Sequence, residues 1–177
     1  MEHQEYIITA FSENSIGLLN RITIIFTRRQ VNIESLTVSQ SSIPGVHKFT
    51  IVVNNSHEKV EKVTKQIDKL VEVLKAFYHT NDEIIQQEIA LYKVPTDALM
   101  KSLEIENLVR NTGARILEIT PDYTVIEKTG YKTETQELFE KLIPYGVTQF
   151  TRSGTVAVTK SPKEFLTEYL QEIEEQN

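Results

Sequence analysis

Hydrophobic periodicity along this chain alternates between a strand repeat and a helix repeat, in an order that occurs twice. Residues 6–11, YIITAF, are rich in strand formers, and the following SENSIG supplies the Asn, Ser and Gly that interrupt a strand. Over Leu18–Arg29 the apolar residues Leu18, Leu19, Ile22, Ile25 and Phe26 recur at helical spacing, so they share one face. VNIESLTVSQ then reads as a strand, SSIPGV as a turn around Pro44 and Gly45, and HKFTIVVN as the strand that returns. Residues 57–74 place Val60, Val63, Ile67, Leu70, Val71 and Leu74 on one face with Lys and Glu opposite, which predicts a helix capped by Asn55 or Ser56. KAFYHT, residues 75–80, closes the set as a strand. Strand, helix, strand, strand, helix, strand is the split βαβ arrangement, an antiparallel sheet with two helices on one face.

After the polar stretch TNDEIIQQ the order begins again. EIALYKV is a strand, and residues 96–112 read as a helix with Thr96 or Asp97 as cap and Gly113 as terminator. ARILEIT and YTVIEKT are strands joined across Pro121 and Asp122, and residues 134–142 form a helix that stops at Pro144. VTQFTRSGTVAVT supplies the last β segment or pair. Residues 162–176 then predict a helix with Ser161 as N-cap, Pro162 in its first position and Phe165, Leu166, Tyr169, Leu170 and Ile173 on one apolar face. The expectation is an α+β chain of two tandem ferredoxin-like βαββαβ domains, residues 4–81 and 86–177, the second carrying the extra C-terminal helix. The two halves share element order rather than residues.

Composition narrows the function classes. A chain of 177 residues with 40% hydrophobic content can bury packed cores. Its net charge of −6 leaves no electrostatic footprint for a phosphate backbone, so nucleic acid is not an expected partner. No apolar run approaches the ~20 residues of a membrane span. MEHQEYIITAF lacks the basic and apolar regions of a signal peptide, and a cytoplasmic protein is expected. Cysteine is absent, which excludes disulfides and thiolate chemistry. His3, His47, His57 and His79 never fall at ligand spacing, and neither a phosphate-cradling loop, a dinucleotide fingerprint nor a GxSxG elbow occurs. Neither a metal site nor a catalytic site is expected. The many carboxylates, as in SHEKVEKVTKQIDK, sit beside lysines on solvated helix faces.

Asn14, Ser15 and Gly17 stand where the first helix begins. A helix N-terminus presents N–H groups without intrahelical partners, so this turn is either simple capping, with Asn14 as the cap, or a seat for an anion. Gly17, lacking Cβ, lets a ligand approach the backbone. The carboxylate of an amino acid suits such N–H groups, and amide oxygens suit its ammonium. Arg28 and Arg29 complement the helix dipole, Asn32 can stabilise the helix end, and Arg152-Ser153-Gly154 reads as a turn or bulge.

The strings ENSIGLLNRITIIFTRRQVNIESLTV, PGVHKFTIVV and KLVEVLKAF, continued by EIALYKV, ILEITPDYTVIEKTG and RSG, resemble the regulatory small subunit of acetohydroxyacid (acetolactate) synthase over most of residues 5–160. The resemblance implies an N-terminal ACT domain, side-by-side pairing of two such domains, and an amino-acid effector, commonly valine, at their interface. It implies that Asn14, Gly17 and Leu18 form the helix-turn side of that site and that Asn32 and Ile33 come from the partner chain. It also implies a catalytic large subunit as partner, which carries the thiamine diphosphate, FAD and Mg while this chain holds no cofactor. Family members usually place small residues beside the glycine. Here Ile16 and Leu18 flank Gly17, and a bulky side chain facing the ligand would narrow the site. A free-standing amino-acid sensor without a synthase partner is the rival reading.

Overall fold

The computed structural model describes residues 3–101, 103–162, 166–169 and 171, in two compact units: Met1–Gln86 with Thr155–Asn177, and Gln87–Gly154. The first unit contains β1 (Gln4–Glu13), α1 (Leu18–Arg29), β2 (Ser35–Gln40), β3 (Val46–Asn55), α2 (His57–Ile67) and β4 (Val73–Thr80). Its strands pair antiparallel in the order β2-β3-β1-β4, with Ile8 opposite Ile51 at the centre. Alternation sends Ile8, Ala10, Ile51 and Val53 to one face, where Leu18, Ile22 and Phe26 of α1 and Val60, Val63 and Ile67 of α2 close the core. The opposite face carries Ile7, Phe11, Val46 and Val52, which are buried as well.

The second unit repeats the topology with β5 (Ile84–Pro95), α3 (Thr96–Lys101), α4 (Leu103–Thr112), β6 (Arg115–Ile119), β7 (Tyr123–Gly130), α5 (Lys132–Leu142) and β8 (Gln149–Arg152). The order β6-β7-β5-β8 assigns the same sequential roles to neighbouring strands as in the first unit. Its core joins Ala90, Tyr92, Val94 and Ile126 of the sheet to Ile105, Val109, Leu138 and Leu142 of the helices. β9 (Val156–Thr159) pairs with β5, whose first residues also belong to the first unit. The chain is therefore a pair of tandem ferredoxin-like domains.

Several boundaries differ from the sequence reading for physical reasons. β1 continues past Phe11 to Glu13 because Ser12 and Glu13 still pair with His47 and Val46 of the long β3. The helix expected over residues 57–74 ends at Ile67. Asp68 accepts a hydrogen bond from the Ala76 amide at 2.8 Å and pairs with Lys75, which draws the chain into β4. Leu70 still packs on the helix-side core, whereas Val71 is 97% exposed and Leu74 joins the cluster on the other sheet face. The described residues of 96–112, α3 and α4, are helical over the expected span, and Gly113 at φ +66° follows them as the terminator. VTQFTRSGTVAVT is two strands, β8 and β9, that serve different units. Contacts group the segment from Thr155 onward with the first unit rather than with the second domain, in which its sequence order places it. The reason is apolar burial: Ala157 clusters with Ile7, Val52 and Ile84, and Leu166 and Tyr169 with Phe11 and Val46. Residues 166–169 are helical, while Phe165, Leu170 and Ile173 of the expected C-terminal helix lie outside the described residues.

Candidate functional site

The turn between β1 and α1 is built from backbone rather than side-chain bonds. Ser15 N–H donates to Glu13 O at 3.0 Å and Leu18 N–H to Ser15 O at 3.3 Å. The helical ladder starts with Arg21 N–H donating to Gly17 O. Gly17 itself occupies the N-cap position with φ 82° and ψ −3°, and no side-chain hydrogen bond caps the helix. Capping by Asn14 is thus corrected: its side chain is exposed, and the cap falls to a residue without a side chain. A methyl group added at Gly17 would meet no atom within 4 Å, so the positive φ, not crowding, calls for glycine. The first turn of α1 contains no acidic residue that would neutralise the positive end of the helix dipole.

The two bulky neighbours of Gly17 part ways. Leu18 is 2% exposed in the core, whereas Ile16 is 102% exposed. Leu18 can offer a ligand only its backbone.

Asn32 and Ile33 follow the other end of the helix. α1 closes on Gln30, a left-handed C-cap whose N–H donates to Phe26 O and Thr27 O. Arg29 donates to Gln66 of α2, and Arg21 pairs with Glu72 in the turn that follows it, so this flank of α1 faces α2 and that turn. Asn32 is exposed, and Ile33 packs partly on the core. The 12 residues of α1 separate the Gly17 turn from the Asn32 junction by about 18 Å at ~1.5 Å per residue. One chain therefore holds Asn14, Gly17 and Leu18 together and Asn32 and Ile33 together, but does not join the two groups.

Outside this turn, His57 Nε2 lies 3.0 Å from the Tyr78 hydroxyl within a ring cluster that includes Tyr6. Arg152 pairs with Glu88 at 3.1 Å and donates to Gln136, while Ser153 exchanges bonds with Ile89, so the RSG string closes β8 on β5. Among the described residues no group of three or more His, Asp or Glu is placed to hold a metal ion, and no helix is long and apolar enough to cross a membrane. Sequence reasoning missed a cavity of about 200 Å³ in the first unit, lined by Thr9, Phe11, Lys48, Phe77 and His79 of the sheet and by the returning segment from Ala157 to Pro162. Its residues come from four separate strings and carry no motif. Burial holds the His79 imidazole below its usual pKa; Glu83 pulls the other way and Lys48 adds to the depression.

Comparisons with known proteins cover both halves. A family model described as the AHAS small subunit-like ACT domain matches residues 8–75, and one described as the small subunit of acetolactate synthase matches residues 87–161. The acetolactate synthase small subunit of Bacillus subtilis is 38% identical over 159 residues, covering 89% of this chain and 92% of that protein. That of Mycolicibacterium smegmatis is 33% identical over 158 residues, with coverages of 88% and 91%. A crystal structure of the acetolactate synthase small subunit from Thermotoga maritima superposes with a TM-score of 0.81 at 28% identity, covering 90% of this chain and 99% of that one.

Proposed function

We propose, for a chain that belongs to the acetolactate synthase small-subunit family, the role of a non-catalytic regulatory subunit that activates the catalytic large subunit and makes it responsive to valine or another branched-chain amino acid. The observation that carries this reading is similarity over both halves of the chain, at nearly full length, to small subunits of this one enzyme. On this reading thiamine diphosphate, FAD and Mg are bound by the large subunit, and the complex works in the cytoplasm.

The effector site is proposed at the junction of two copies of this chain. Among the described residues β2 pairs only with β3, at an edge of its sheet. α1 connects β1 to β2, and its Leu19 is 45% exposed. A two-fold axis at the β2 edge would run α1 of the two copies antiparallel, so the Gly17 turn of one would stand beside the Asn32–Ile33 junction of the other. The gap of about 18 Å within one chain is then closed by the second copy. The N-terminus of α1 at Gly17 and Leu18, which no side chain caps, turns the positive end of the helix dipole to the effector carboxylate, and the amides of Asn14 and Asn32 suit its ammonium. A ligand shared by two chains can shift the arrangement of the dimer because its affinity differs between arrangements.

Mixing the chain with its large subunit and following acetolactate formation with and without valine tests the assignment. Activation and co-elution are expected, and the absence of both would overturn it. Valine binding without partner capture would instead favour the free-standing sensor. Asn14→Ala and Asn32→Ala are each expected to weaken valine binding by roughly 1.5–3 kcal/mol, the worth of a charge-assisted hydrogen bond. Wild-type affinity in both variants by calorimetry would refute the placement.

A further inference from the structure

A groove of about 490 Å³ lies between α1 and the end of α2 in the first unit, lined by Ile25, Arg28, Arg29, Gln66, Lys69 and Leu70. Arg21 meets Glu72 and Arg29 meets Gln66, so the two stretches run antiparallel past one another. Ile25 and Leu70 pack partly on the core and give the groove an apolar floor, while Arg28 and Lys69 are exposed. Among the described residues three cations and no carboxylate line it. The chain as a whole has the opposite sign, with a net charge of −6. The acidic residues nearby are committed to other cations: Glu58 to Lys62, Glu61 to Lys65, Asp68 to Lys75 and Glu72 to Arg21. α1 contains none. Among the described residues Arg28 and Lys69 form no ion pair, and Arg29 Nε donates at 3.2 Å to Gln66 Oε1, a neutral acceptor that leaves the guanidinium charge unbalanced. A helix C-terminus favours a cation, which accounts for the sign at Arg28 and Arg29. That preference does not remove the carboxylates that balance cations elsewhere on this unit.

We propose that the groove docks an acidic segment of the catalytic large subunit, whose carboxylates meet Arg28, Arg29 and Lys69 while an apolar side chain rests on Ile25 and Leu70; the proposal rests on the regulatory-subunit reading above. A guanidinium offers two parallel N–H donors that match one carboxylate, so neighbouring arginines favour Asp or Glu. Exposed ion pairs contribute little singly, so a free anion held by three of them would bind only at about millimolar concentration. A segment of a larger interface adds the same pairs to contacts already made, and there they set association rate and register. Nucleic acid fits less well, because a few cations on an acidic chain release few counterions.

Titration of the large subunit with the whole chain, read by the rise in acetolactate formation at low and high salt, tests the groove. Arg28→Glu and Lys69→Glu should each raise the concentration for half-maximal activation by about tenfold or more at low salt, and by less at high salt. Valine affinity and self-association of the isolated chain should not change. Lys59→Glu, which makes the same change of charge at an exposed residue of α2 outside the groove, should stay within about twofold of wild type. Hydrogen exchange should slow at residues 25–30 and 66–70 when the large subunit binds. Wild-type activation by both groove variants, or an equal loss in Lys59→Glu, overturns the docking site and leaves the regulatory reading standing. Failure of the wild-type chain to bind the large subunit overturns both. Should a variant not fold, the wild-type exchange map decides, and unchanged exchange at 25–30 and 66–70 in the complex overturns the site. Saturable binding of inorganic phosphate to the isolated chain, lost in Arg28→Glu while activation is kept, would assign the groove to a free anion and overturn the docking role.

Discussion

At the turn into α1, burial decides what each side chain can control. Leu18 belongs to the packed cluster with Ile22 and Phe26, so Leu18→Ala is expected to cost about 2–5 kcal/mol of stability through lost burial and the cavity left behind. Ile16 is fully in solvent in the single chain, and Ile16→Ala should change stability by no more than about 0.5 kcal/mol, its effect appearing in valine affinity. Denaturation and calorimetry on the two variants check this pair, and equal destabilisation would contradict it. His79 sets a pH dependence. Its folded pKa lies below its unfolded value near 6.5, because burial penalises the charged form more than Glu83 favours it. The unfolded chain therefore binds the proton first, and stability falls as pH drops from about 6.5 toward the folded pKa. Glu83, held low chiefly by the Thr80 backbone N–H, loses its contribution only as pH falls through its own depressed value. Melting temperature should drop between pH 7.5 and 5.5, and less so in His79→Gln; identical drops would argue against this origin.

At the scale of elements, the two edges of the first sheet are treated differently. On β4, Asp68 occupies the Ala76 amide and Lys75 adds a charge, both of which discourage further pairing. β2 has no such device, and its Val38 is exposed. If β2 is the dimer edge, Val38→Asp places like charges from two copies at one junction and should weaken self-association by about tenfold or more, with valine affinity falling in parallel. Sedimentation equilibrium provides the measurement, and an unchanged dimer would exclude β2 as the interface. Element order and strand pairing were legible in the sequence because two-residue and helical periodicities are local. The end of α2 was not, because Leu70, Val71 and Leu74 continue the helical spacing while a long-range bond, Asp68 to Ala76, turns the chain. The turn into α1 was legible as a glycine at a helix start, but the buried orientation of Leu18 depended on packing that spacing alone leaves open.

For the whole molecule, the decisive feature is the second face of the first sheet. An antiparallel sheet with one face in water alternates apolar and polar residues, yet YIITAF and FTIVV bury residues on both sides. The sequence reading, with two helices on one face, left the other face uncovered, since Ala157 and Leu166, which cover it, lie far along the chain and their segment follows the second unit in sequence. The last strand thus completes the unit that the first strand begins. Ala157→Asp, which puts a carboxylate against Ile7, Val52 and Ile84, should destabilise the seating of β9 by about 2 kcal/mol or more, since these apolar neighbours offer nothing to offset the desolvation of the charge. Hydrogen exchange should then accelerate at Val156–Thr159 and in β1 and β3 of the first unit, while the core amides of α5 and β7 keep their protection. Acceleration spread evenly over both units would mean that the two sheets unfold as one, and would remove the returning strand from its place as the cover of the first.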